Sequence, residues 1–378
     1  MAVVMIVCFL GLIWLPTADH FFGLDHAQKP NENRPLVGFP EFTPSREGVR
    51  AFPAGVEAYF RDHFGFRNRL IRLERKLKDE WFHELIMPDV LIGREGWLFF
   101  SGDYMVEHFQ GLKLLSDEDL ANWQALLEKR RDWLARRGIK YVFSIPPDKH
   151  SIYPEELPEW LSGLQATNKL DQFVAHMRAH STVEVLDLRP AILEAKNTNK
   201  TYLRLDTHWN TYGGFVAYQA LVKTLGQQLP GLTPPLELAD FDVSPVPLAG
   251  GDLSRMLSEQ ATSIEPYAFV FTPRSPRTKL NLMEVSNRFP KKWDPLTGPI
   301  ASFYDGARGK AMVFRDSFAG SWVEFLGYHF NEVIYLWQHE WNAEFIEREK
   351  PLVVIDEMLE RFFCSSDPVK LMKKDALP

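Results

Sequence analysis

Two cysteines in 378 residues, Cys8 and Cys364, exclude a disulfide framework and a cysteine-rich zinc site. Surplus positive charge is missing too. The 43 Lys and Arg stand against 50 Asp and Glu, a net charge of −7, so no overall basic field draws the chain to nucleic acid. No internal repeat is visible. A run of about 20 apolar residues, the comfortable length for a bilayer span, is also lacking. The nearest approach is Met1 to Pro16, MAVVMIVCFLGLIWLP. No Lys or Arg precedes it, and Pro16, Thr17, Ala18 and Asp19 make a poor cleavage site. We read residues 1–18 as an uncleaved N-terminal membrane anchor or signal-anchor, with the rest exported. The competing reading is a buried hydrophobic helix. In an oxidising compartment Cys8 would lie in the membrane and Cys364 near the C-terminus, so they would not pair.

What is present is ordinary globular material. Hydrophobic residues make up 45% and charged residues 25%, which excludes wholesale disorder, collagen and coiled coil. The aromatic share, 13%, suits carbohydrate stacking or core packing alike. Residues 19–54 read as a linker rich in Pro, Asn and Gly. A helix is expected from Gly55 to about Leu85, with a break near Gly65. Six basic residues between Arg67 and Lys78 suit an anionic partner or a solvated helix face.

The segment VLIGREGWLFF (90–100) reads as a hairpin. Ser116 with Asp119 three residues on opens a helix over 116–137, and Gly138 closes it. Strands over 139–147, 183–188, 310–314, 332–337 and 351–358 then alternate with helices at about 164–180, 212–228, 318–329 and 340–349. That alternation predicts an α/β fold, a parallel sheet with helices on both faces. The body runs over 55–364. Residues 231–300 form an irregular or β-rich insertion, and 365–378 a frayed tail.

In such a sheet, ligands bind beyond the carboxyl ends of the strands. Three of those ends carry polar groups: PPDKH (146–150), DTHWN (206–210) and RDSF (315–318). A serine at a strand-to-helix turn, Ser317, is displayed above the sheet edge, next to the unpaired N–H groups of the helix start. The alternative is that Ser317 or Asp316 merely caps that helix. Asp206-x-His208 places a carboxylate beside an imidazole if the backbone is extended. His208 would then take the serine proton while Asp206 fixes its tautomer. A polar loop that caps the next helix is the plain alternative. A metal reading also competes, in which Asp148-x-His150 and Asp206-x-His208 supply four ligands.

The pattern DTHWN followed about a hundred residues later by RDSF resembles the SGNH-hydrolase-like domain of the alginate O-acetyltransferase family, the AlgJ and AlgX type. ENRPL (32–36), FPAGVEAYFRDHFGFRNRLI (52–71), IPPDKHSIYPEELP (145–158) and KPLVVIDEMLERFF (350–363) agree with it. The anchored form without a further carbohydrate module looks more like the AlgJ type. The resemblance implies an SGNH-hydrolase-like, flavodoxin-like fold and a periplasmic enzyme that acetylates hydroxyls of a bacterial exopolysaccharide, alginate-like or other. It implies a triad of Ser317, His208 and Asp206, no metal and no cofactor. It also implies a membrane-bound O-acyltransferase as acetyl supplier and other exopolysaccharide secretion proteins as partners. The residue two before the nucleophile is usually Gly, and here it is Arg315. Arg315, Asn210 and Lys149 are the expected substrate-binding neighbours. A carbohydrate O-acetyl esterase with the same triad, or a non-catalytic polysaccharide-binding subunit, are the rival readings.

Overall fold

The computed structural model describes residues 37–66, 89–257, 264–274, 279–289 and 297–375, with Trp14, Asp19 and Leu377. Apart from Trp14 and residues at 55–66, the expected anchor and the helix and basic run to Leu85 lie outside these residues. Among the described residues no helix is long and apolar enough to cross a membrane. The chain divides into two compact units, Met1–Pro88 and Asp89–Pro378.

In the first unit a helix spans Arg46–His63 with Ser45 as its cap, the serine Oγ accepting from the Gly48 N–H at 3.0 Å. It begins inside the stretch read as linker, and Pro53 is carried within it. Beside it the Phe39 ring sits edge-on to Phe52 and Tyr59, at 6.2 and 5.1 Å.

The second unit opens with the expected hairpin, β1 (Val90–Ile92) and β2 (Leu98–Phe100). β3 (Lys140–Ile145) and β4 (Val185–Asp187) follow. Two short ribbons come next: β5 (Phe241–Pro245) pairs with β8 (Phe269–Pro273), and β6 (Leu248–Ala249) with β7 (Ile264–Glu265). Then come β9 (Asn281–Glu284), β10 (Ile300–Phe303), β11 (Lys310–Arg315), β12 (Glu332–Trp337) and β13 (Val353–Glu357). Seven of these form one sheet in the order β4-β3-β13-β11-β12-β10-β9. The first five strands of that order run parallel; β10 and β9 join antiparallel. The sheet is therefore mixed, and the 231–300 stretch is not wholly a separate insertion, because β9 within it and β10, which starts at its last residue, extend the sheet. Both are only four residues long, and all four residues of β9 are exposed.

Side chains along the central strands alternate between two buried layers. Val142, Val313, Tyr335 and Ile355 meet Phe215, Leu221 and Val222 of the Thr211–Gln228 helix. Phe143, Phe314, Leu336 and Val354 meet Trp123 and Leu127 of the Asp117–Ala135 helix and Phe173 of the Lys169–His180 helix. Burial on both faces is why these strands read as unbroken apolar runs. Each such side chain contributes about 1.5–3 kcal/mol by leaving water. The helix expected over 318–329 is broken into a 3₁₀ turn at Phe318–Trp322, one α turn at Val323–Leu326 and a second 3₁₀ turn at Gly327–His329.

The expected frayed tail is instead a capped helix, Pro368–Lys374, held by Asp367. Just past it, Asp375 is buried against Arg130, 245 residues away. No local pattern announces a contact over that separation.

Candidate active site

β11 ends at Arg315, and the chain turns at once into the Phe318 3₁₀ turn. Asp316 is buried beneath this turn. Its Oδ1 accepts from the Phe318 N–H at 2.9 Å, its Oδ2 from the Leu359 N–H at 2.8 Å, and its own N–H donates to Glu357 Oε2 at 2.9 Å. Asp316 thus does the capping, and the Ser317 hydroxyl is left for another partner. Ser317 has φ −71° and ψ −26°, an ordinary helical conformation. No positive φ occurs at residues 315–317, so the turn does not need glycine at position 315.

The partner of Ser317 comes from the loop before the Thr211–Gln228 helix. Its Oγ lies 2.7 Å from His208 Nε2. On the other side of the ring, Nδ1 lies 2.6 Å from Asp206 Oδ1, which also accepts the His208 backbone N–H at 3.0 Å. Asp206 and His208 meet because the segment is bent, not extended as the sequence spacing suggested. A single bridge, Tyr202 to Trp209, closes the loop. The Trp209 indole N–H donates to Ser321 Oγ at 2.9 Å and to Phe318 O at 3.2 Å, tying this loop to the nucleophile turn. Gly214 permits the approach: a Cβ there would sit 2.3 Å from Ser321 Oγ.

The charges follow from these contacts. Burial pushes the Asp206 carboxyl up, but the bond and charge of His208, with backbone N–H groups of His208 and Asp252, hold it well below the usual carboxylate range. Burial pulls His208 down, but the bond and charge of Asp206, helped by the Asp252 charge, raise it above an ordinary imidazole. A serine hydroxyl, an imidazole and a carboxylate in this order can move one proton from Ser317 to His208 and hold the resulting imidazolium.

Other expected neighbours are placed differently. Asn210 is the cap of its helix: Oδ1 accepts the Gly213 N–H at 2.9 Å, and Nδ2 donates to Lys200 O at 2.7 Å and Tyr267 O at 2.8 Å. Its amide is committed, and the substrate-binding expectation is corrected. Lys149 is 2% exposed, with Nζ donating to Leu98 O at 2.7 Å and to Arg204 O at 3.3 Å. Burial brings its pKa down to about 7 against the pull of Asp206, Asp252 and Glu265. It is an interior cation and not a surface hand for a ligand, which again corrects the expectation. Arg315 is also buried. Its Nη1 donates to Asp316 O at 2.8 Å, and its guanidinium lies 4.6 Å above the Trp337 ring.

The metal reading fails in its expected form. Asp148 is paired with Arg361, accepting its backbone N–H at 2.7 Å and Nη1 at 3.1 Å. His150 is buried between Phe99 and Phe109, and burial lowers its pKa to about 3. A different trio, Asp206, His208 and Asp252, does bring ligand atoms within 4.8 Å of one another. All four carboxylate oxygens there already accept protein N–H or O–H groups. That donor set fits the orientation of an imidazole better than the binding of a cation.

Sequence reasoning missed Asp252. Its backbone N–H donates to Asp206 Oδ2 at 2.8 Å, and Oδ2 lies 3.7 Å from His208 Nδ1. The signal was the Gly250-Gly251 pair before it: a Cβ on Gly251 would meet Leu205 O at 2.3 Å and the Asp206 Cβ at 2.7 Å.

The family model for the SGNH hydrolase-like domain of acetyltransferase AlgX matches residues 90–279. A probable alginate O-acetylase AlgJ of Pseudomonas syringae pv. tomato is 28% identical over 225 residues, 59% of this chain and 55% of that protein. Its counterpart from Pseudomonas aeruginosa is 31% identical over 165 residues, 44% of this chain and 40% of that protein. The chain spans about half the length of the curated relatives it matches. The solved structure of Bacillus cereus PatB1 with a sulfonyl adduct superposes with a TM-score of 0.54 at 15% identity, over 75% of this chain and 96% of that one. That likeness concerns the fold.

Proposed function

From the membership of this chain in the SGNH hydrolase-like family of acetyltransferase AlgX, we propose that it is an O-acetyltransferase acting on hydroxyls of a bacterial exopolysaccharide through an acetyl-serine enzyme. The observation that carries this reading is the unbroken chain Asp206–His208–Ser317, at 2.6 and 2.7 Å, at the carboxyl edge of a largely parallel sheet.

In the first half-reaction His208 Nε2 takes the Ser317 Oγ proton, and Oγ attacks the acetyl carbonyl of the donor. The Ser317 N–H donates to the oxyanion, since the Phe318 N–H is occupied by Asp316. Collapse expels the donor's leaving group, which takes the proton from His208. In the second half a sugar hydroxyl gives its proton to Nε2 and attacks the acetyl carbonyl. The acetylated sugar leaves, and the proton returns to Ser317. Asp206 holds Nδ1–H throughout and stabilises the imidazolium.

The names of the AlgJ relatives support alginate or a similar polymer as acceptor. The apolar run at residues 1–16 supports anchoring in the inner membrane with the enzyme facing the periplasm. There a membrane-bound O-acyltransferase would supply acetyl, and secretion proteins would present the polymer.

The test offers p-nitrophenyl acetate with and without oligomannuronate. Acetyl-oligosaccharide that accumulates in proportion to acceptor, at the expense of free acetate, supports the transferase. Free acetate alone makes the protein an esterase, and no turnover makes it a binding subunit. The reading also fixes a pH dependence. His208 must be neutral to act as base, and its pKa is raised. The acid limb of kcat/KM is therefore expected above the pKa of a free imidazole, with activity lost as pH falls through it. A limb in the carboxylate range would contradict this.

A further inference from the structure

Among the described residues a second carboxylate, besides Asp206, stands near His208. Asp252 sits at the start of a short helix, Asp252–Met256, 46 residues after Asp206, in a segment with no periodic pattern. It is 7% exposed. Its N–H and both its carboxylate oxygens meet the Asp206–Thr207–His208 bend. Its N–H donates to Asp206 Oδ2 at 2.8 Å. Its Oδ1 accepts the Thr207 N–H at 2.7 Å as well as the Leu253 N–H at 2.7 Å. Its Oδ2 accepts the Thr207 hydroxyl at 2.5 Å and stands 3.7 Å from His208 Nδ1.

This is more than a loop needs to stay folded. The bend is also anchored without the 252–256 helix: Leu205 N–H donates to Glu265 Oε2 at 2.7 Å, and a bridge joins Tyr202 to Trp209. With those bonds present, a second buried carboxylate beside the first is electrostatically costly. Burial and the Asp206 charge both disfavour the ionised form of Asp252. A positive charge on His208 offsets that cost, since it favours the ionised form of Asp252.

We propose that Asp252 is a positioning residue for the acyl transfer. It locks Asp206 and Thr207 from the far side of the bend and sets a second negative charge against His208 Nδ1, so that the imidazolium formed in each half-reaction is shared by two carboxylates. The inference rests on the proposed function for its catalytic meaning, but its geometry can be read without any substrate. The groups facing His208 are Asp206 and Thr207 from its own loop, Asp252 from the 252–256 helix, and Ser317 and the Phe318 ring from the turn after β11. Arg361 acts on it at longer range and in the opposite sense.

The experiment compares wild type, Asp252→Asn and Ser317→Ala. Asparagine keeps an oxygen for the Thr207 and Leu253 N–H groups but carries no charge. The titration of the His208 imidazole is followed by NMR, assigned with His208→Gln, in the absence of ester. Ester turnover is followed across pH in parallel. In Asp252→Asn the His208 titration and the acid limb of kcat/KM are expected to move down together by about one pH unit. Turnover on the plateau is expected to fall about tenfold. Unmoved titration in a folded Asp252→Asn overturns the inference, whatever its rate, because a purely structural residue would change rate alone. Should that variant not fold, Thr207→Ala decides. Without the Thr207 hydroxyl, the charge of Asp252 Oδ2 acts on the imidazolium with no donor bound to it, so the titration moves up; no movement overturns the inference. If Ser317→Ala matches wild type in turnover, the acyl-transfer reading fails, while the NMR result still judges the placement of Asp252.

Discussion

Asp206→Asn is expected to lower kcat for ester turnover by a factor on the order of 10³–10⁴ while leaving the fold intact. Asparagine can occupy the same volume and keep its oxygen on the Asp252 N–H that Asp206 Oδ2 holds at 2.8 Å, which puts the amide nitrogen in the place of Oδ1 and gives up the bond from the His208 backbone N–H. What changes is the group facing Nδ1. A carboxylate at 2.6 Å requires the proton on Nδ1 and leaves the Nε2 lone pair for Ser317. An amide N–H at that position would favour the opposite tautomer, with the proton on Nε2 where it cannot accept one from serine. The loss is therefore in chemistry, so kcat falls and KM stays near its wild-type value. Asp252 moderates the effect, since one negative charge still stands 3.7 Å from Nδ1. A stopped-time assay over substrate concentration checks this. A drop in kcat of less than about tenfold would mean that Asp206 does not serve His208 in the rate-limiting step.

The largest expected effect on stability lies on the opposite side of the sheet from the Thr211–Gln228 helix. Arg130 is fully buried and pairs with two buried carboxylates. Its Nη1 meets Asp356 Oδ2, and its Nε and Nη2 form a two-pronged bond with Asp375, at 2.8 and 2.9 Å. Nη2 also reaches His339 O at 2.9 Å, and the guanidinium stacks 4.7 Å from the Trp341 ring. Asp375 in turn accepts the Trp341 N–H at 2.9 Å, and Tyr141 donates to Asp356 at 3.0 Å. Arg130→Ala would leave two interior carboxylates without their cation, a loss of about 3–5 kcal/mol. For a unit of this size that corresponds to a fall in Tm of about 5–8 °C, read by calorimetry. Burial already pushes the Asp356 carboxyl up against the pull of Arg130. In the variant Asp356 is expected to take a proton, which softens the loss without removing it. A Tm within about 2 °C of wild type would show that this trio contributes nothing net.

The extent to which sequence predicts this molecule depends on the range of the interactions. Ser116 with Asp119, and the apolar runs of β11, β12 and β13, encode their structure locally, and they form within a residue or two of expectation. Asp206, His208 and Ser317 do come within hydrogen-bond distance of one another in turn, although through a bend and not through an extended strand. Polar residues near the motifs were harder to assign. Asn210 and Lys149 carry groups a ligand could use, but whether an amide faces solvent or a carbonyl is decided by distant segments, here residues around 200, 267 and 98. Asp252 and the Arg130–Asp375 pair depend on contacts across 45 and 245 residues, which no periodicity encodes. The helix at Arg46–His63 was hidden by the Pro and Gly content of its own turns.

The most direct test of the central claim is the intact mass of the protein after brief incubation with p-nitrophenyl acetate, for wild type and Ser317→Ala side by side. A single gain of about 42 Da on wild type, absent from the variant, is the predicted result. An acetyl adduct that persists on Ser317→Ala, or turnover that continues in it undiminished, would contradict the account.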